Sequence, residues 1–374
     1  MKAGWQSKPF EECIEKVTYT QKIQRKDFLG DGTYPIVSQE EDFINGYWDN
    51  EVDLFSVATP VVVFGDHTKV LKFVDFDFVL GADGVKILQP CEFLEPRFFF
   101  YQLQTANLDS LGYARHYKLL KELEIGYPAR SEQQRIVGIL DAAFDGIAIA
   151  KANAEQNLQN ARALFESHLQ SVFTQRGEGW KQKTLEEIAT IFGRGKSKHR
   201  PRNEPKLYGG KYPFIQTGDI RNSEHFITEY SQTYSEAGLA QSKLWPKGTI
   251  CITIAANIAE TGILGFDACF PDSVIGVVAN PEEADVDFVE YLLQSFKTRI
   301  QSMGKGSAQA NINMGTFENE RFPFPLVTEQ KQIVAKLDAL HEGTQRLASL
   351  YQRKLAALDE LKKSLLHQAF SGTL

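Results

Sequence analysis

Apolar positions along this 374-residue chain follow two different periods. Over 328–370, Ile333, Leu337, Leu340, Leu347, Tyr351, Leu358, Leu361 and Leu365 recur at steps of three, four or seven, which predicts a long helix with a coiled-coil-like seam. Ile136, Leu140, Phe144, Ile147, Leu158, Ala161, Phe165, Leu169 and Val172 predict another over 131–173. Ser131 and Thr328 are the expected N-caps, Gln134 completes a capping box with Ser131, Pro128 and Pro325 stand just ahead, and Gly177 and Gly372 close the ends. Such helices would run roughly 60 Å each, so each needs a partner along its seam. The economical partner is the other helix, antiparallel, because the intervening section must carry the chain back to the second helix start. Elsewhere the runs are short. Segments 57–65, 69–81, 84–88, 248–257 and 273–280 are rich in Val, Ile, Phe and Thr and are punctuated by Gly, Asp and Pro, which predicts small mixed sheets. Helical stretches are expected at 96–108 and 285–300. The expected fold class is α+β, with two globular domains joined by two long antiparallel helices.

The chain is an imperfect tandem repeat. Segment 131–173 aligns without a gap on 328–370 at a constant offset of 197, sharing Glu132/Glu329, Gln133/Gln330, Ile136/Ile333, Val137/Val334, Leu140/Leu337, Asp141/Asp338, Gly146/Gly343 and Phe173/Phe370 among others. Upstream, Gly4, Trp5 and Glu11 match Gly179, Trp180 and Glu186 at an offset of 175. Fainter echoes pair Tyr34-Pro35-Ile36 with Tyr212-Pro213-Phe214, and Tyr127-Pro128 with Phe324-Pro325. The expected divisions are a globular domain at 1–130, a helix at 131–176, a second globular domain at 177–327 and a second helix at 328–374. The two globular sections share an order of elements but few residues, so they read as one scaffold with two surfaces.

Composition narrows the function. A formal charge of −7 excludes a polycation that adheres everywhere to phosphate backbones, so a nucleic-acid site must be local. Cys13, Cys91, Cys251 and Cys269 form no C-x-x-C pair, which argues against a disulfide framework or zinc knuckle and fits a reducing cytoplasm. The first residues lack an apolar signal core, and no apolar run approaches the roughly 18 residues of a membrane span, so a cytoplasmic protein is expected. Gly193-Arg194-Gly195-Lys196-Ser197 ends like a phosphate-binding loop, but Thr190 replaces its opening glycine and a proline-containing stretch follows where a helix should start. No dinucleotide fingerprint, H-E-x-x-H or G-x-S-x-G motif is present, and no bound metal or catalytic set is expected.

The same segment suits DNA better. Between 194 and 211, Arg194, Lys196, Lys198, Arg200, Arg202, Lys206 and Lys211 face Glu204 alone, a local excess of six positive charges, with His199 among them. Held as a loop by Gly, Pro and Asn, it can follow a DNA backbone, and an arginine can read guanine edges. Lys22, Arg25 and Lys26, His67 and Lys69, Lys86, and the Arg115, His116 and Lys118 cluster are candidates in the first section. The amide-rich loops 216–219, with Gln216, and 307–311 are candidates for base edges or simply turns.

The repeated E-Q-x-x-I-V-x-x-L-D motif at 132–141 and 329–338, each copy following a proline-containing strand end and opening a long helix, resembles the two conserved regions of the specificity subunits of type I restriction–modification systems. The closing LLHQAFSGTL, the Tyr-Pro-Ile and Tyr-Pro-Phe starts and the GADGVKIL run are similar to segments of the same family. The resemblance spans essentially the whole chain. It implies a non-enzymatic DNA reader whose two target recognition domains each contact half of a bipartite, asymmetric site. The helices would set the spacer and dock two methyltransferase subunits, and restriction–translocase subunits would join the larger complex. S-adenosylmethionine, ATP and Mg²⁺ would belong to those partners. Gly138, where the second helix has Ala335, departs from the repeat and is an expected point of bending, since glycine inside a helix costs roughly 1 kcal/mol. A free-standing nuclease or methyltransferase would need an acidic metal cluster or cofactor loop. A coiled-coil oligomerisation scaffold is the competing reading, and it leaves the basic loop without a purpose.

Overall fold

Short β-branched runs form the strands and the long heptad-patterned segments form helices that pack into the same cores. The computed structural model describes residues 4–82, 84–106, 108, 114–175, 177–199, 201–255, 257–303, 312 and 314–371. Two units result, one comprising Met1–Glu155 with Gln352–Leu374 and the other Gln156–Tyr351. The division falls inside the long helices, so each unit holds one globular region, part of the helix that follows it and part of the other helix. Among the described residues no helix is long and apolar enough to cross a membrane.

In the first unit the strand Val61–Gly65 pairs antiparallel with Leu71–Val74 on one side and Val85–Pro90 on the other, and Ile14–Glu15 completes the sheet. Strand alternation sends Val62 and Phe64 to one face, against the helix Pro96–Gln104, and Val61 and Val63 to the other. A second sheet, built on Phe78–Gly81 with Tyr34–Val37 parallel to it, covers that other face. The second unit repeats these pairings. Ile250–Thr253 lies between Thr261–Leu264 and Val274–Ala279, with Ala189–Arg194 beyond, and Tyr208–Phe214 runs parallel to Ala268–Cys269 in the second sheet. The Tyr-Pro echoes therefore sit on equivalent strands, as do Tyr127 and Phe324, which pair with Gln6–Pro9 and Lys181–Lys183.

The long helices span Arg130–Thr174 and Val327–Ser371, 45 residues each. They begin one residue before the expected caps. Ala129 and Leu326 carbonyls accept the first amides, Ser131 and Thr328 lie within the first turn, and the capping role expected of them is not theirs. Gly138 lies inside one continuous helix with open space around it. Gly372 lies outside the described residues. Within the first unit Ile136 and Leu140 share a core with Leu366 and Ala369, and Lys151 pairs with Asp359 while Lys362 lies over Phe144, an antiparallel order. Within the second, Leu169 and Phe173 share a core with Val334 and Leu337. The seam of the first helix is a strict heptad through Leu140, Ile147, Ala154 and Ala161, all at least 93 % buried. The second follows Val334, Leu337 and Thr344, whose hydroxyl donates to the Leu340 and His341 carbonyls. Leu347 and Leu361, expected in that seam, are 42 % and 46 % exposed. The other six expected positions hold, Leu337 fully buried and Ile333, Leu340, Tyr351, Leu358 and Leu365 half-buried, and the two exceptions reflect leucine occupying both faces of this helix.

The repeated motif is the joint between helix and globular region. Gln133 is fully buried; its side-chain oxygen accepts from Glu95 N at 2.7 Å and its amide donates to the Phe93 and Pro128 carbonyls. Gln330 does the same with Asp285 N at 2.8 Å and the Glu283 and Pro325 carbonyls. Glu95 and Asp285 in turn accept from Phe98 N and Phe288 N, the third residue after each. The motif aspartates close the joint, Asp141 accepting from Tyr101 and Asp338 from Tyr291 at 2.7 Å. Phe98 packs on Trp5 and Phe370, and Phe288 packs on Trp180 and Phe173, so each region holds the end of the helix belonging to the other copy.

Candidate nucleic-acid interface

In the first region the fold gathers residues that are far apart in sequence. Lys22 stands on the edge strand Lys22–Ile23, His67 in the hairpin turn after Val61–Gly65, Lys86 on Val85–Pro90, and Arg115 just before the helix Tyr117–Lys121. With Gln39, Asp66 and Gly84 they line one polar cavity of about 570 Å³. Lys22 donates to the Val85 carbonyl at 2.8 Å, bridging the two sheets, and Lys86 lies over the Tyr117 ring at 5.3 Å. His116 is 1 % exposed, its backbone amide donating to the Asp66 carbonyl at 2.7 Å, so it belongs to the packing and no DNA can reach it. Lys69 takes a left-handed backbone in the turn and donates to the Leu108 carbonyl. Arg25, Lys26 and Lys118 are exposed on other elements, Arg25 in an ion pair with Glu40 at 3.0 Å. Gln39 and Asp66 carry no positive charge, so the charge pattern of the sequence does not single them out, although Asp66 directly precedes His67.

The basic loop of the second region divides in two. Arg194 donates to the Asp272 carbonyl at 2.7 Å and Arg202 grips the Asp272 carboxylate with one nitrogen at 2.8 and 2.9 Å, so both guanidinium groups also tie the loop to the turn beside the strand Val274–Ala279. Lys211 pairs with Glu236 at 3.3 Å. Lys196, Lys198 and Lys206 are exposed, and none is in an ion pair among the described residues. His199 is half-buried and its amide donates to Gln241. Arg200 and the 307–311 loop lie outside the described residues. Gly195 shows why the phosphate-loop likeness was superficial. A Cβ there would stand 2.3 Å from the Phe270 carbonyl and 2.4 Å from that of Pro271, so this glycine serves close packing between strands. Gln216 precedes the short helix Thr217–Arg221 and forms a capping box with Asp219, a turn role. Lys243, 3.6 Å from the Trp245 ring centroid, adds a cation that the sequence did not flag; burial and the nearby Lys196 lower its pKa. Its neighbours in sequence carry no signal, and only folding brings it beside Lys196.

A buried ionic cluster lies elsewhere in the second unit. His225 contacts Asp287 at 3.0 Å and Glu290 at 2.6 Å and stacks on Tyr291. Burial works against its proton, but the two carboxylates outweigh it and raise its pKa to about 9.

Comparison with known proteins places this architecture. The sequence matches the type I restriction modification DNA specificity domain twice, over 2–160 and 177–353. It is 24 % identical to the specificity subunit of the type I restriction enzyme EcoR124I/EcoR124II of Escherichia coli, covering 89 % of this chain and 87 % of that one. It is 22 % identical to the MjaVIII specificity subunit of Methanocaldococcus jannaschii, covering 79 % and 74 %. Two solved structures share the fold at 18 % identity. A chain from a type I R-M system, studied for complex assembly and conformational transition, superposes with a TM-score of 0.75 over 100 % of this chain and 99 % of its own. The HsdS subunit from Thermoanaerobacter tengcongensis gives 0.62 over 100 % and 98 %.

Proposed function

Because the chain belongs to the type I restriction–modification DNA specificity family, as a specificity subunit, we propose that each globular region reads one half of a bipartite, asymmetric DNA target and that the long helices fix the spacer. The observation that carries this reading is one topology bearing two unlike polar surfaces, a concave basic cavity in the first region and an extended basic loop in the second. Identical half-sites would call for matching side chains at matching positions.

In the second region Lys196, Lys198 and Lys206 are the phosphate contacts, while Arg194 and Arg202 hold the loop in shape and keep their remaining N–H donors for base edges. The chain itself catalyses nothing in this reading. Two methyltransferase subunits dock on the helices, where Ile149, Leu164, Leu347, Leu350 and Leu361 expose apolar surface to solvent. S-adenosylmethionine belongs to those subunits, and ATP and Mg²⁺ to restriction–translocase subunits.

Removing one heptad from each helix at facing positions tests the ruler. Seven residues keep the seam in register and shorten each helix by about 10.5 Å, close to three base pairs at 3.4 Å each. Selection from a random DNA pool should return both half-sites unchanged with a spacer about three base pairs shorter. Altered half-sites with the original spacer would sink the proposal.

A further inference from the structure

The two regions repeat their hydrogen-bond ladder residue for residue around one corner, which makes their side chains comparable there. Asp66 N donates to the Gly84 carbonyl and His116 N to the Asp66 carbonyl; Ile254 N donates to the Ser273 carbonyl and Ile312 N to the Ile254 carbonyl. Lys86 pairs in register with Phe64 where Ile275 pairs with Ile252. At these matched positions the second region carries Ile254, Ile275 and Ile312, all at least 97 % buried in its main core. The first region carries Asp66, Lys86 and His116. The backbone therefore accepts aliphatic side chains at all three places, and the fold does not call for polar ones. His116 is packed behind the corner and takes no part in the cavity, whereas Asp66 and Lys86 line it and are polar where the fold itself does not require it, which points to a ligand.

We propose that this corner is a phosphate seat: the cavity lined by Lys22, Gln39, Asp66, His67, Lys86 and Arg115 takes one phosphodiester of the DNA bound by the first region. The proposal rests on the DNA-reading function and adds the site. Three cations converge on it against one carboxylate, and Asp66 is 2 % exposed and accepts from Tyr117 N at 2.8 Å. Among the described residues the lining holds no phenylalanine, tyrosine, tryptophan or aliphatic side chain and is dominated by charged and amide groups, which suits an anion better than the apolar face of a base. Gly84 has φ +81, and a Cβ there would stand 2.8 Å from Gln39 Oε1 and 2.9 Å from the His67 ring, crowding the wall of the cavity.

A phosphate contact has a signature distinct from base reading, because it weakens all DNA alike and carries salt dependence. The test uses the full chain with its methyltransferase partners and compares wild type with Lys86→Ala/Arg115→Ala and with the bulk-preserving Lys86→Met/Arg115→Gln. Both double variants should lose affinity for target and non-target DNA by the same factor, and the slope of log K against log salt should become shallower by about 0.9, the value for one phosphate. An unchanged slope, or a loss confined to DNA altered at one base pair, overturns the seat. So does a variant that loses thermal stabilisation by inorganic phosphate while keeping the DNA slope, since the cavity would then hold free phosphate. Failure of the wild-type complex to select any bipartite target would instead overturn the DNA-reading function itself.

Discussion

Gln133 and Gln330 show what a single residue does in this chain. Each satisfies backbone groups at a strand end and at the start of the helix packed beside it, from a fully buried position. Replacing either by alanine orphans those groups at about 1–3 kcal/mol apiece, so Gln133→Ala and Gln330→Ala should each lower stability by about 3 kcal/mol in urea unfolding. The sequence made both visible as repeated letters without showing the bonds they make. His225 is the opposite case, unremarked in the sequence because its partners Asp287 and Glu290 lie more than sixty positions away. Its folded pKa is raised from 6.5 to about 9, so its stabilisation is complete below pH 6.5 and is lost as pH rises through 9. On the order of 3 kcal/mol is at stake. His225→Gln should be less stable than wild type at pH 7, and the gap should close near pH 10. Lys72 works in the other direction. Burial lowers its pKa to about 8, a cost carried at neutral pH and relieved as pH rises from 8 towards 10.5.

Element by element, periodicity was strong where repeats were long. The helices lie within a residue or two of where the heptads put them, the strands Val61–Gly65, Leu71–Val74, Ile250–Thr253 and Val274–Ala279 fall inside the predicted runs, and Val85–Pro90 runs two residues past the end of the 84–88 run. Which leucines face inward was less legible, since a 3.6-residue helix drifts against a seven-residue pattern and apolar residues occupy both sides. Leu337→Ala should cost about 2–5 kcal/mol because the residue is fully buried. Leu347→Ala should change stability by less than about 0.5 kcal/mol and act instead on methyltransferase docking. Thermal unfolding beside a subunit pull-down separates the two effects. In the basic loop, Arg202→Ala frees Asp272 and should raise loop exchange in hydrogen–deuterium measurements, whereas Lys198→Ala should leave exchange unchanged and weaken DNA binding alone.

At the scale of the molecule, quasi-equivalence is structural as well as sequential. Phe370 on Phe98 and Phe173 on Phe288 are the same contact made twice, with the helix end supplied each time by the other copy. A fragment of residues 1–177 lacks Phe370 but retains its repeat mate, Phe173. Two such fragments should dimerise by seating Phe173 of one copy on Phe98 of the other, and the dimer should select a symmetric site. Sedimentation of the fragment as a monomer at micromolar concentration would refute this, and Phe173→Ala should abolish the dimer if it is right.

The tandem repeat, the α+β class, the paired helices and the family were all determined by the amino-acid sequence alone, because local periodicity and repeated letters survive without coordinates. The tertiary structure decided where chemistry converges. Lys22, Gln39, Asp66, Lys86 and Arg115 span nearly a hundred positions, and only strand register brings them around one cavity. His116, two residues from Lys118 in sequence, is buried by that same register. Charge density along a chain predicts a patch only when the patch is a loop; when it is assembled from strand ends, the pairing of strands makes it.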